Sequence, residues 1–402
     1  MRKLAVLILI AVTALPGFAA KRFTVQQLEQ LVATIHDKPD ADLAGRLSEF
    51  ELSNRLSAAR MARIKEQLQG PMARDALVVL FDASAFLPLP AEDLTATAAP
   101  DATAQRQILD AATRYAMQAL SKLPNFYATR ETALFMDAPA RPGRMTVPAD
   151  QTLQFEQRSS ATVLYREGKQ VVETEAAAGR KSNAGLSGLV TSGEFGPILG
   201  TLLADAQKGQ LAWSYWEQGA RGQEAVFRYT VPKDKSHYEV KFCCVLVGGG
   251  RGVFKRISGY HGEIAIDPES GAILRLTMQA DLKPPYPMAK GDLMVEYGPV
   301  EIGGKTYICP VKSVAIARGY EPALSQSSSD PLLVFHDQAS QSDPTGSSDE
   351  AEILQTMLNH VVFKQYHLFR SELRILTGDD AGRDASPPGS VPATAPSGGS
   401  IH

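Results

Sequence analysis

The sequence predicts an α+β protein: an N-terminal helical bundle followed by a highly curved antiparallel β-sheet wrapped partly around a helix. Three observations predict it. Apolar residues recur at helical spacing through residues 23–86 and again after Asp101. Beyond Leu123-Pro124 the apolar period falls from that of a helix to that of a strand. From there on, neighbouring strands are joined by short turn signals, which makes them antiparallel partners.

The elements follow in order. Arg2 and Lys3 precede an apolar run over 4–15, Pro16-Gly17 breaks it, and Gly17-x-Ala19 is a cleavage pattern. Residues 1–19 therefore read as a signal peptide, too short for the roughly 20 residues a bilayer span takes. No second long apolar run occurs, so the mature chain is expected to be periplasmic or secreted, with no transmembrane segment. Residues 20–86 form the expected bundle. Thr24 and Gln27 make a capping box ahead of Val25, Leu28, Leu31, Val32 and Ile35. Pro39 ends that helix, and Asp40 and Ser53 are candidate caps for the next two. Gly70-Pro71 marks a stop and restart before a fourth helical segment. Arg55, Arg60, Arg63 and Lys65 read as a solvated helix face.

Residues 87–100, rich in Pro, Ala and Thr, read as a linker. The final domain spans 101–376. Asp101 caps an amphipathic helix, and strands follow over 125–136, 151–166, 170–175, 211–218, 223–231, 237–247, 257–267, 272–283, 292–302, 305–317 and 358–376. Pro268-Glu269-Ser270-Gly271 and Gly303-Gly304 are turn signatures between them. Gly248–Gly252 reads as a loop, 326–350 as a mobile insertion, and 377–402, made largely of Pro, Gly, Ser and Ala, as a disordered tail.

Composition narrows the function. Of 402 residues, 44% are apolar and 21% charged, which excludes disordered, collagenous and coiled-coil classes. The formal charge of −3, from 41 basic and 44 acidic residues, leaves no basic footprint for nucleic acid. Three cysteines are too few for a disulfide scaffold or a four-thiolate zinc site. Catalytic patterns are missing: Gly185-Leu186-Ser187-Gly188-Leu189 lacks the last glycine of a nucleophile elbow, and the glycines at 248–252 lack the lysine of a phosphate loop. His237, Cys243, Cys244, His261 and Cys309 lack paired ligand spacing, so no metal and no cofactor is expected. In an oxidising compartment a Cys244–Cys309 disulfide is the better expectation, since both share strand faces with apolar residues, and Cys243 is left as the free thiol.

The run Tyr260-His261-Gly262-Glu263-Ile264-Ala265-Ile266-Asp267-Pro268-Glu269-Ser270-Gly271, with Leu274-Arg275-Leu276 after it, resembles outer-membrane lipoprotein-sorting and carrier proteins. So does the block from Val295 to Lys305 around Gly303-Gly304. The Tyr165-Arg166-Glu167-Gly168-Lys169 hairpin fits the same plan. The whole chain also resembles large exported bacterial proteins of unknown function that add a helical N-terminal region. The resemblance implies a half-open barrel over residues 125–376, and it carries over no catalytic residue.

The expected function is non-catalytic binding of an apolar ligand, a lipid or lipidated peptide, in the concave face of the sheet. Alternation places Val240, Phe242, Leu274, Leu276 and Met278 there with Phe227 and Tyr229, while Glu239, Lys241 and Arg275 point outward. The helix starting near Pro197 is expected to fill part of the hollow through Ile198, Leu199, Leu202 and Leu203. The alternative is an interaction module of the bacterial envelope that docks a protein partner and takes no small ligand.

Overall fold

The computed structural model describes residues 21–137, 152–173, 188–189, 193–219, 221–247, 250–283, 288–321 and 353–369. The signal segment, the 326–350 insertion and the 377–402 tail lie outside them. Within the described residues the protein is α+β, with one large antiparallel sheet and six α-helices.

The N-terminal region holds β1 (Lys21–Phe23), α1 (Val25–Ile35), α2 (Asp40–Leu47), β2 (Phe50–Leu52), α3 (Ala58–Gln67) and α4 (Pro71–Ala83). The capping box is present: Gln27 N donates to Thr24 Oγ1 and Thr24 N to Gln27 Oε1, at 3.2 and 2.9 Å. Val25, Leu28, Val32, Leu47, Ile64, Leu68 and Leu77 share one core. Asp40 does not cap its own helix. Its carboxylate accepts Met72 N and Ala73 N, at 2.9 and 2.8 Å, and so caps α4 from a distance. Gly70 permits this approach, because a Cβ there would meet Asp40 Cγ at 1.9 Å. Ser53 starts no helix either. Residues 50–52 pair in parallel with 21–23, Phe50 stacks on Phe23, and α3 begins only at Ala58.

α5 (Ala102–Lys122) is capped by Asp101, whose Oδ1 accepts Thr103 N and Ala104 N, and it ends at Leu123. The remaining elements are β3 (Phe126–Met136), β4 (Gln154–Arg166), β5 (Lys169–Glu173), β6 (Gly188–Leu189), α6 (Pro197–Ala206), β7 (Gln210–Gly219) and β8 (Gly222–Val231). After these come β9 (Glu239–Val247), β10 (Gly250–Ile257), β11 (Tyr260–Ile266), β12 (Ile273–Ala280), β13 (Met288–Ile302), β14 (Lys305–Glu321) and β15 (Ile353–Leu368).

Ten strands form the sheet in the order β5-β4-β3-β15-β14-β13-β12-β11-β8-β7, so β5 and β7 are its edges. It departs from a simple meander twice. The last strand, β15, inserts between β3 and β14. β9 and β10 leave the sheet, and β11 pairs directly with β8. The departing hairpin joins β6 in a separate three-stranded sheet, order β10-β9-β6. Residues 250–257, read partly as loop, are thus a strand.

Both faces of the large sheet are covered. On one, Ile108, Ala112 and Ala116 of α5 and Ile198, Leu199 and Leu202 of α6 share a core with Phe227, Ile264, Leu276, Leu293 and Val295. On the other, Ala85 beyond α4 packs with Met294, Val314, Ile316 and Leu358. Asp82 of α4, fully buried, lies 2.5 Å from Lys312 Nζ and 2.5 Å from His360 Nδ1, tying the helix to β14 and β15. Lys312 also sits over the Phe81 ring. Residues 87–100 run along β7: Trp216 Nε1 donates to Ala98 O, and Thr95 Oγ1 to Trp216 O.

Candidate functional site

The residues expected to line one wall do not share one sheet face: Val240 and Phe242 lie on β9 in the separate three-stranded sheet, and Leu274 lies on the opposite face of the large sheet from the others. Phe227, Tyr229, Val240, Phe242, Leu276 and Met278 all belong to the core that α5 and α6 fill, and Leu276 and Met278 have no exposed surface. Burial of such side chains stabilises the fold by about 1.5–3 kcal/mol each. The α6 residues expected to fill the hollow do so: Ile198, Leu199 and Leu202 are core, and Leu203 packs at its margin. Glu239 and Lys241 face solvent as a 2.9 Å ion pair.

Leu274 is displaced from that set. β12 pairs Arg275 with Ala265 and Ile273 with Ile266, leaving Leu274 as the extra residue of a β-bulge. The bulge breaks the strict alternation assumed from sequence. Ile273 takes the core position, and Leu274 joins Arg275 on the lining of the opposite face.

The expected Cys244–Cys309 bond is not seen. Cys309 is a free thiol, buried with Phe126, Phe195 and Phe363, and burial pushes it up to about 12. Its strand, β14, lies in the large sheet, whereas Cys244 lies on β9 in the separate small one. The Cys244 side chain is outside the described residues.

The face toward the N-terminal helices carries the charge. Glu217 and Glu224 stand directly opposite across β7 and β8, as do Arg228 and Glu263 across β8 and β11, and Arg275 and Glu296 across β12 and β13. Like charges directly opposite destabilise a sheet, and two arginines offset the first pair. Arg55 Nη2 and Arg275 Nη2 both donate to Glu217 Oε2, at 2.7 and 2.5 Å. Arg55 also donates to Tyr215 Oη, and Tyr215 donates to Glu263 Oε2 at 2.7 Å. Arg55, read from sequence as a solvated helix residue, precedes α3 and is 6% exposed. Arg60, read likewise, pairs with Glu29 and Asp93.

Beside this cluster lies a cleft of about 410 Å³ between the N-terminal region and the sheet, within the range of small-molecule sites. Leu56, Phe81 and Ala85 line it from the helical side, and Leu274, Met294 and Val311 from the sheet. Its charged lining comprises Arg55, Arg221 and Arg275 with Glu217, Glu224 and Glu296, and Ser57, Gln218 and Tyr297 add uncharged polar groups. Glu224 and Glu296 accept no hydrogen bond and pair with no cation among the described residues, and Nε of Arg55 and Nη1 of Arg275 are buried without a partner. Desolvation, with Glu217 adding to it and Arg275 opposing, pushes Glu224 up to about 7. Burial pulls Arg275 down, but Glu217 and its neighbouring acids more than offset this, so it stays charged. The glycine at 219 makes room for Glu224, whose Oε1 would lie 1.8 Å from a Cβ at that position.

No protein-family model, no curated protein and no solved structure matches this chain. Among the described residues, no group of three or more His, Cys, Asp or Glu side chains could hold a metal ion, and no helix is long and apolar enough to cross a membrane.

Sequence reasoning missed the cleft because its walls come from segments more than 130 residues apart. One signal was available. Strand residues opposite the apolar face included Glu217, Glu224, Glu263, Arg275 and Glu296, an unusual density of both signs for a face meeting only water.

Proposed function

We propose that this is a non-catalytic protein exported to the bacterial envelope that binds an apolar ligand, a lipid or lipidated peptide, and does so in the cleft between its N-terminal helices and the sheet. One observation carries the reading. The expected concave wall is filled by α5 and α6, while Leu56, Phe81, Leu274 and Met294 line open space beside a charged cluster. On this reading the sheet curves around α5 and α6 as a half-open barrel, and its hollow serves stability. Its reverse face, capped by the N-terminal helices, serves binding. Each ligand CH₂ buried against that lining contributes about 0.8 kcal/mol, and Met294 makes the wall adaptable.

The test is binding of a fluorescent fatty-acid probe to delipidated full-length protein. Saturable binding is expected in the wild type. It should be lost in Leu274→Trp, which fills the cleft from the sheet, and in Ala58→Trp, which blocks it from an exposed position on α3 that tolerates bulk. Binding that survives both substitutions places the ligand elsewhere and defeats the reading.

A further inference from the structure

We propose that the cleft takes an amphiphile with a neutral, hydroxyl-bearing head, a sugar-headed lipid being the simplest example. This rests on the reading of the cleft as an apolar-ligand site and adds the chemistry of the head. Two properties of the polar end carry it.

The first is that its hydrogen-bonding capacity is unfilled in both directions. Glu224 and Glu296 are acceptors without partners among the described residues. Arg221, exposed where it lines the cleft, donates to no protein acceptor among the described residues. A carboxylate or phosphate head would answer Arg221 and leave the glutamates facing like charge. An ammonium head would do the reverse. A hydroxyl both donates and accepts, and several on one ring satisfy both sets.

The second property is charge balance. Arg55, Arg221 and Arg275 face Glu217, Glu224 and Glu296 across the same cleft. With every group ionised the lining is neutral, so a singly charged head gains no net attraction and still gives up its hydration. A neutral head avoids that cost, and its chain runs onto Leu274 and Met294.

Calorimetric titration of the delipidated full chain at pH 8, below micelle-forming concentrations, compares three heads on one tail: octyl glucoside, octanoate and octylammonium. The glucoside is expected to bind about tenfold tighter than either charged analogue, a difference of about 1.4 kcal/mol. Glu296→Leu should remove that preference while leaving octanoate binding no weaker, with thermal unfolding confirming that the variant folds. A preference for octanoate or octylammonium, or equal binding of all three, overturns the assignment of the head and leaves the cleft as an apolar site. Failure of every octyl compound to bind overturns the underlying reading instead. Glucoside binding indifferent to Leu274→Trp overturns the location of the head.

Discussion

Replacing Glu224 with glutamine isolates the electrostatic cost of the cleft. The side chain is partly buried, faces Glu217 across the β7–β8 ladder, and titrates near 7 in the folded protein against an ordinary value of 4.5. At 1.36 kcal/mol per pH unit, that difference is worth at most about 3 kcal/mol, and solvent at its exposed side trims this to about 2–3. The sign follows from proton binding. Between 4.5 and 7 the folded state holds the proton that the unfolded chain has released, so wild-type stability falls as pH rises through that window. The amide of the Glu224→Gln variant mimics the neutral acid at every pH. Urea unfolding of both proteins, delipidated, should give equal stabilities near pH 4. The variant should become more stable by about 2–3 kcal/mol at pH 8. Other titrating groups cancel in the difference. A gap that stays flat with pH, or one favouring the wild type at pH 8, would refute the claim that Glu224 is desolvated among like charges.

Three further outcomes follow from the packing. Leu276→Lys puts a charge at a position with no exposed surface in the main core, so circular dichroism should show the β region unfolding, whereas a residue lining a ligand site would lose only affinity. Arg55→Ala leaves Glu217 short of a partner in a buried cluster and should cost about 3–5 kcal/mol in chemical denaturation. The double variant Arg55→Met/Glu217→Leu should not regain that loss, because Arg275 then stays buried without the carboxylate it donates to. Cys309 should be alkylated only in denaturant, since burial and a thiol pushed up to about 12 leave almost no thiolate at pH 8; peptide mapping without reductant should recover it as a free thiol, and a Cys244–Cys309 peptide would contradict the structure.

Local chemistry made the elements legible in the sequence. Thr24 with Gln27, Asp101, Gly70-Pro71, Asp267-Pro268 and Gly303-Gly304 act on neighbours a few residues away, and each marks a boundary in the structure. What stayed hidden depends on distant partners. Asp40 looked like a cap for its own helix, yet its carboxylate serves α4 because two segments meet in space. Leu274 looked like a core residue by alternation, and one inserted residue in the β11–β12 ladder reversed it. A bulge leaves no signature in an apolar strand. The departure of β9 and β10 from the sheet was equally hidden, since hairpin signals fix which strands are neighbours in sequence but not which sheet receives them. For the same reason the binding face was sought on the apolar side of the strands, where the chain's own helices supply the filling.

Native mass spectrometry of the full-length protein, purified from an envelope fraction without detergent, tests the location of the ligand most directly. The wild type should carry a co-purifying amphiphile of defined mass, and Ala58→Trp, folded and purified in the same way, should be stripped of it. The account is contradicted if the two proteins carry the same adduct, or if the wild type carries none and binds none when offered.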